Sequence, residues 1–146
     1  MPSPTNTQFA VAVHVLTYLA GTAAAGEHRS VSSDEFAAST NVTPVHVRRV
    51  LGPLRDAGLV TSKPGQGGGW VLGADPASIS VERVWDLVRG DEPVLGLHGP
   101  NPDCPVGRGV QAVLEELDRA VAARVRAELA GISIADLLQQ TLVDHS

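Results

Sequence analysis

A mostly α fold with a small β-hairpin is predicted by three observations. Apolar residues recur at helical spacing over most of the chain. One stretch, Leu59–Leu72, instead reads as two short strands around a run of glycines. Two short, capped helical segments joined by a tight turn come immediately before it. The 146 residues fall within the size of one domain and can bury a core. An apolar share of 43% and a charged share of 18% exclude a disordered or collagenous chain.

The elements follow in order. From Phe9 to Ala25 the chain is apolar on most sides, with Phe9, Val13, Leu16 and Ala20 on one face and Val11, Val15 and Leu19 on another. A helix of that kind is one buried centrally in a small fold, with His14 as a satisfied core histidine. The first eight residues carry no Lys or Arg, which argues against a secretory leader, and the run is short for a membrane span. The expectation is a cytoplasmic chain that does not enter the membrane.

Ser32, with Glu35 three residues on, forms a capping box for a short helix ending near Thr40. Asn41-Val42 makes the turn. Thr43 then caps a second helix, with Pro44 at its first position, where a missing N–H costs nothing. Val47, Val50, Leu51 and Leu54 form its core stripe, and His46, Arg48, Arg49 and Arg55 its polar side. Gly58 is placed to cap its end. Two such helices, the second basic, make a helix-turn-helix.

Leu59–Ser62 and Trp70–Leu72 then read as strands, joined through Lys63-Pro64-Gly65-Gln66-Gly67-Gly68-Gly69. A hairpin directly after a recognition helix is a wing, so the block is a winged helix-turn-helix, with Trp70 and Trp85 as core anchors behind it. Ser78 and Ser80 precede a helix over Val81–Arg89. A proline-rich loop over residues 90–105 holds His98 and Cys104. From Val106 to about Leu129 runs the longest helix, with Val110, Val113, Leu114, Leu117, Val121, Val125 and Leu129 on one side. At 1.5 Å per residue it extends about 36 Å, more than the rest of such a chain can cover. That stripe predicts a C-terminal dimerisation helix and hence a homodimer. Ser133 and Asp136 cap a final helix. Two regions are expected within one compact domain: 1–75 for DNA binding, and 76–146 for a sensor loop and dimerisation.

Composition narrows the chemistry. One cysteine excludes a disulfide framework and any metal site made of several thiolates from one chain. An aromatic share of 3% is too low for a stacking platform for single-stranded nucleic acid. The net charge of −5 hides its distribution. Residues 1–75 hold five basic and five acidic side chains, so the whole excess lies in 76–146. Residues 43–64 hold four basic groups against Asp56 alone, a local +3 that suits a polyanion. Glu115, Glu116 and Asp118 read as a solvated helix face with no catalytic arrangement.

With the wing in view, the chain resembles the bacterial Rrf2 family of winged-helix regulators, which includes IscR, NsrR and CymR. The resemblance rests on Thr43-Pro44 through Leu54-Arg55-Asp56-Ala57-Gly58-Leu59-Val60 and on Gly67-Gly68-Gly69-Trp70-Val71-Leu72. It continues through Ile79-Ser80-Val81, Asn101-Pro102-Asp103-Cys104-Pro105 and Ile132-Ser133-Ile134-Ala135-Asp136-Leu137, and spans about nine-tenths of the chain. It implies a dimer on double-stranded DNA, with two recognition helices in successive major grooves of a pseudo-palindromic operator and wings on the minor groove. Thr43, Val45, His46 and Arg48 are then candidates to face bases or nearby phosphates, with Arg48 suited to guanine. Arg49, Arg55 and Lys63 are candidates for phosphates, and Gln66, Gly67 and Gly68 for the wing contact.

Three departures matter. Pro64 stands where family wings often carry an arginine. Gly52-Pro53 falls inside the recognition helix, where a kink or early end is expected. Cluster-binding members carry three cysteines in the loop where this chain has Cys104 alone, so an iron–sulfur cofactor of that type is not expected.

The function predicted is a DNA-binding transcriptional regulator, a repressor whose affinity changes when an oxidant or electrophile modifies Cys104, with His98 as its neighbour in the sensor loop. The loop is expected to expose the thiol, and the following helix N-terminus favours negative charge there. Two alternatives stand beside it: a winged helix serving protein contacts, and a thiol enzyme using Cys104 with His98, which lacks an orienting third group.

Overall fold

Capping chemistry sets where the elements begin and end. In the computed structural model, which describes residues 4–144, they follow as α1 (Pro4–Ala24), α2 (Ser33–Thr40), α3 (Pro44–Asp56), β1 (Val60–Lys63), β2 (Gly69–Leu72), a 3₁₀ turn (Pro76–Ser78), α4 (Val81–Arg89), α5 (Pro105–Leu129) and α6 (Ile134–Asp144). The outermost residues of the two predicted regions, 1–3 and 145–146, lie outside the described residues. The chain forms two compact units: one runs up to Gly90 and resumes at Gly131, the other is Asp91–Ala130.

In the first unit, α1 is the central element, packed against α2, α3, α4, α6 and β2. Its Val11, Ala12, Val15, Leu16, Leu19 and Ala20 are buried, as a helix apolar on most sides requires. Ser32 Oγ accepts from the Glu35 N–H at 3.0 Å to open α2. Asn41 closes that helix at φ 59°, a left-handed position that a short polar side chain tolerates. Thr43 Oγ1 accepts from the His46 N–H at 3.2 Å to open α3. At its far end the Gly58 N–H bonds to the Arg55 carbonyl and the Leu59 N–H to the Leu54 carbonyl, both at 2.9 Å, with Gly58 at φ 81°. This is a Schellman ending, sealed by buried Leu54 and Leu59.

The early end expected at Pro53 does not occur, because α3 continues to Asp56. Val47, Val50, Leu51 and Leu54 are all buried, so the core stripe runs across the proline and holds the last turn beyond it. Arg83 of α4 adds a second hold, donating to the Ala57 carbonyl at 3.2 Å.

The hairpin pairs antiparallel from Val60↔Leu72 to Lys63↔Gly69. Val31 adds a one-residue bridge to Trp70, exchanging bonds of 2.9 and 2.8 Å. Residues 79–81 and 132–134 bridge in the same way, through Val81 N–H to Ile132 and Ile134 N–H to Ile79. That bridge ties the start of α6 to the start of α4.

Two tryptophans and a histidine differ from expectation. Trp70 is half-buried, donating from Nε1 to Ser33 Oγ at 3.3 Å, and Trp85 is half-buried under the Arg89 guanidinium, 4.3 Å from its ring centre. Neither is a sealed core anchor. His14 is exposed and shares a 2.8 Å hydrogen bond with Ser39 Oγ, so it has its partner at the surface and not in the core.

The second unit is the proline-rich loop and α5. Asp118 departs from the solvated face expected of it: it is buried and accepts from the Leu95 N–H at 2.8 Å. Arg108 donates to the Pro102 carbonyl at 2.6 Å, holding the loop against the helix start. Along α5, Val106, Val110, Val113, Leu117 and Val121 are each between 36% and 73% exposed, spaced by three or four residues on one side.

Candidate nucleic-acid interface

The helix α3 divides cleanly into two faces. At about 100° per residue, Val45, Arg48 and Arg49 fall together, opposite the stripe of Val47, Val50, Leu51 and Leu54. Because the stripe is buried, this second face must point outward, and all three residues are exposed. Thr43 is exposed at the N-cap and Arg55 at the far end, where its Nε lies 3.5 Å from Asp56 Oδ1. His46 is placed differently. Its ring is half-buried, and its Nε2 is enclosed without a hydrogen-bond partner.

Lys63, Pro64, Gln66 and Gly67 are exposed on the wing and Gly68 is half-buried. Two glycines make the loop possible. A Cβ on Gly68 would lie 2.1 Å from the Lys63 carbonyl oxygen, and one on Gly69 would lie 2.6 Å from that of Val31. The second close approach is what lets Val31 bridge to Trp70. Ser30 Oγ also donates to the Gly67 carbonyl at 2.9 Å. The α1–α2 loop thus serves as an outer rail for the wing.

That rail is anchored by charge. Arg29 makes two bonds to Glu35, at 2.8 and 2.9 Å, and Tyr18 Oη donates to the same carboxylate at 2.5 Å. The Arg29 hydrogen bond, then that of Tyr18, lowers the Glu35 pKa to about 2. Bonding to Glu35 and burial raise that of Tyr18. Tyr18 also meets Phe36 edge-on at 5.7 Å, so the cluster joins α1, α2 and the loop. Sequence reading missed Ser30, Val31, Arg29 and Arg83 as supports of the interface. A signal existed for Val31 alone, an apolar residue in an otherwise polar loop.

Cys104 and His98 belong to the other unit, and both are exposed. Cys104 is the N-cap of α5, its Sγ accepting from the Gly107 N–H at 3.4 Å.

The profile of the Rrf2 family, described as iron-dependent transcriptional regulator, matches residues 5–140. The chain belongs to the Rrf2 family. It is 36% identical over 134 residues to YwnA of Bacillus subtilis, named as an HTH-type transcriptional regulator, covering 91% of this chain and 96% of YwnA. It is similar to a crystal structure of a transcriptional regulator from Lactobacillus plantarum, with a TM-score of 0.74, 28% identity, and coverage of 94% of this chain and 91% of that one. The structure of CymR from B. subtilis shares the fold at a TM-score of 0.64 and 23% identity, over 92% of this chain and 95% of CymR. The protein is thus a transcriptional regulator of the Rrf2 winged-helix type. Its relatives are regulators, not enzymes, which removes the thiol-enzyme alternative.

Iron, named in the Rrf2 description, does not fit the donor set of this member. The chain has one thiol, and among the described residues no three His, Cys, Asp or Glu side chains gather to hold a metal. Among the described residues, no helix is long and apolar enough to cross a membrane.

Proposed function

We propose that the protein is a cytoplasmic homodimeric repressor that binds a pseudo-palindromic operator in double-stranded DNA, and that modification of Cys104 by an oxidant or electrophile changes its affinity. The outward face of α3 carries this reading: two exposed arginines and an apolar side chain, opposite a buried stripe, with a wing beside it. Arg48 is assigned to guanine, whose O6 and N7 accept both ends of a guanidinium. Thr43, Arg49, Arg55 and Lys63 are assigned to phosphates, with Gln66, Gly67 and Gly68 lying along the minor groove. His46, half-buried with its Nε2 enclosed, is assigned beside Thr43 to bases or nearby phosphates at the first turn of α3.

Residues 1–75 are the DNA-binding part and 76–146 the sensing and pairing part. The exposed stripe of α5 supports pairing with a second copy, since an apolar row of this length on one helix is costly to leave in water. Exposure of Cys104 at a helix N-terminus supports the thiol switch, with His98 in the same loop.

The test is selection of bound duplexes from random DNA, using reduced and peroxide-treated protein, with Cys104→Ser as control. The expected result is an inverted repeat enriched in one redox state, with the redox response lost in Cys104→Ser and binding steeply salt-dependent. A site bound equally in both states would end the switch. No enriched site in either state would end the DNA-binding reading.

A further inference from the structure

The outward face of α3 holds one side chain that no phosphate can use. Val45 is 58% exposed at the second position of the helix, and it is the sole large apolar residue of α3 outside the core stripe. Its neighbours on that face are cationic: Arg48 and Arg49, three and four residues on, both exposed. One turn further, Gly52 adds no side chain, and a Cβ built there would meet nothing within 4 Å, so the chain itself does not require the glycine. The face is therefore low, charged at its edges and apolar at its tip.

We propose that Val45 reads the 5-methyl group of a thymine in the major groove, so that each half-site carries a thymine close to the guanine read by Arg48. This rests on the DNA-binding reading above and adds a specificity-determining residue to it. Among the base edges of the major groove, the thymine methyl is the apolar one, and aliphatic side chains are its partners. Recognition helices offer their N-terminal residues to base edges, and Val45 sits in that first turn. A β-branched side chain in a helix is held close to one rotamer, so its two methyl groups are presented in a fixed place. The rise from Val45 to Arg48 is about 4.5 Å along the helix, which puts the two contacts within about two base-pair steps.

Deoxyuridine in place of thymidine removes that methyl and leaves every hydrogen-bonding group of the base pair intact. On the selected operator, replacing thymidine by deoxyuridine at one position per half-site is expected to weaken the native protein roughly fourfold, the worth of one buried methyl, and about fifteenfold when both half-sites are changed. Val45→Ala is expected to bind the unmodified operator more weakly and to show a smaller difference between thymidine and deoxyuridine, because its single methyl covers less of the thymine methyl. Arg48→Ala is expected to keep that difference while losing preference at the guanine. Val45 is on the surface, so helix content and the thermal midpoint of Val45→Ala should match those of the native protein.

A selected operator on which deoxyuridine costs less than twofold at every position would overturn the assignment of Val45. An equal cost in the native protein and Val45→Ala would overturn it too, since the methyl would then act through DNA shape. Failure to select any operator would instead overturn the DNA-binding reading itself.

Discussion

The two longest helices of this protein make opposite use of their apolar residues, one carrying no charged side chain and the other eight. Helix α1, 21 residues, buries Val11, Val15, Leu16 and Leu19 within its own unit. Helix α5, 25 residues, leaves Val106, Val110, Val113, Leu117 and Val121 in solvent, and its buried residues are Asp118 and Ala122. The first is complete as one chain. The second has one of its acids inside and an apolar row outside. That exposed row is the surface through which the proposed second copy would pair.

The sharpest way to break this comparison is truncation in each helix. Leu16→Ala should cost about 2–5 kcal/mol of unfolding free energy by urea denaturation, whatever the protein concentration, because it empties a closed core. Leu117→Ala should lose only the stability that rises with protein concentration. A concentration-independent loss as large as that of Leu16→Ala would show α5 to be an internal element.

A charge on the exposed row is the next test. Leu117→Asp should raise the dissociation constant of the proposed pair by about a hundredfold or more, since two carboxylates would have to be desolvated at one seam. Sedimentation equilibrium reads this directly, and an unchanged assembly would place the interface elsewhere.

Acid gives the smallest effect, and it acts on the completed unit. The folded-state pKa of Glu35 is about 2, below the ordinary value of about 4.3, so the Arg29–Glu35–Tyr18 cluster contributes stability above about pH 4.3. That contribution should fade as pH drops from there toward 2. Urea midpoints followed from pH 6 to pH 2.5 should fall less steeply in Glu35→Gln, which starts lower. Equal slopes would show the cluster to be a surface pair of no consequence, as partly exposed pairs often are.

Local chemistry made much of the fold readable in advance. Ser32, Thr43, Ser80 and Ser133 accept the cap bonds that their spacing announces, and Gly58 ends α3 in the left-handed conformation. The basic face of α3 was readable for the same reason, since a buried stripe at helical spacing dictates what lies opposite. Less readable were contacts between segments far apart in sequence. Val31 stands out as apolar in a polar loop, but nothing near it or Ser30 announces that they would brace a wing almost forty residues away. Asp118 looked like one more acid on a charged helix until the Leu95 N–H was found bonded to it.

Sequence alone determined the order of the elements, the capped starts of α2, α3 and α6, the glycine-bearing wing and the opposed faces of α3. These depend on interactions spanning a few residues, where capping, turn and periodicity rules act directly. Tertiary structure decided which helix would be sheltered and which left bare. It carried α3 through Pro53, brought His14 to the surface beside Ser39, enclosed His46 Nε2 and drew Asp118 inward. Burial is set by which faces meet, and that is a property of the packed chain, not of any residue's neighbours along it.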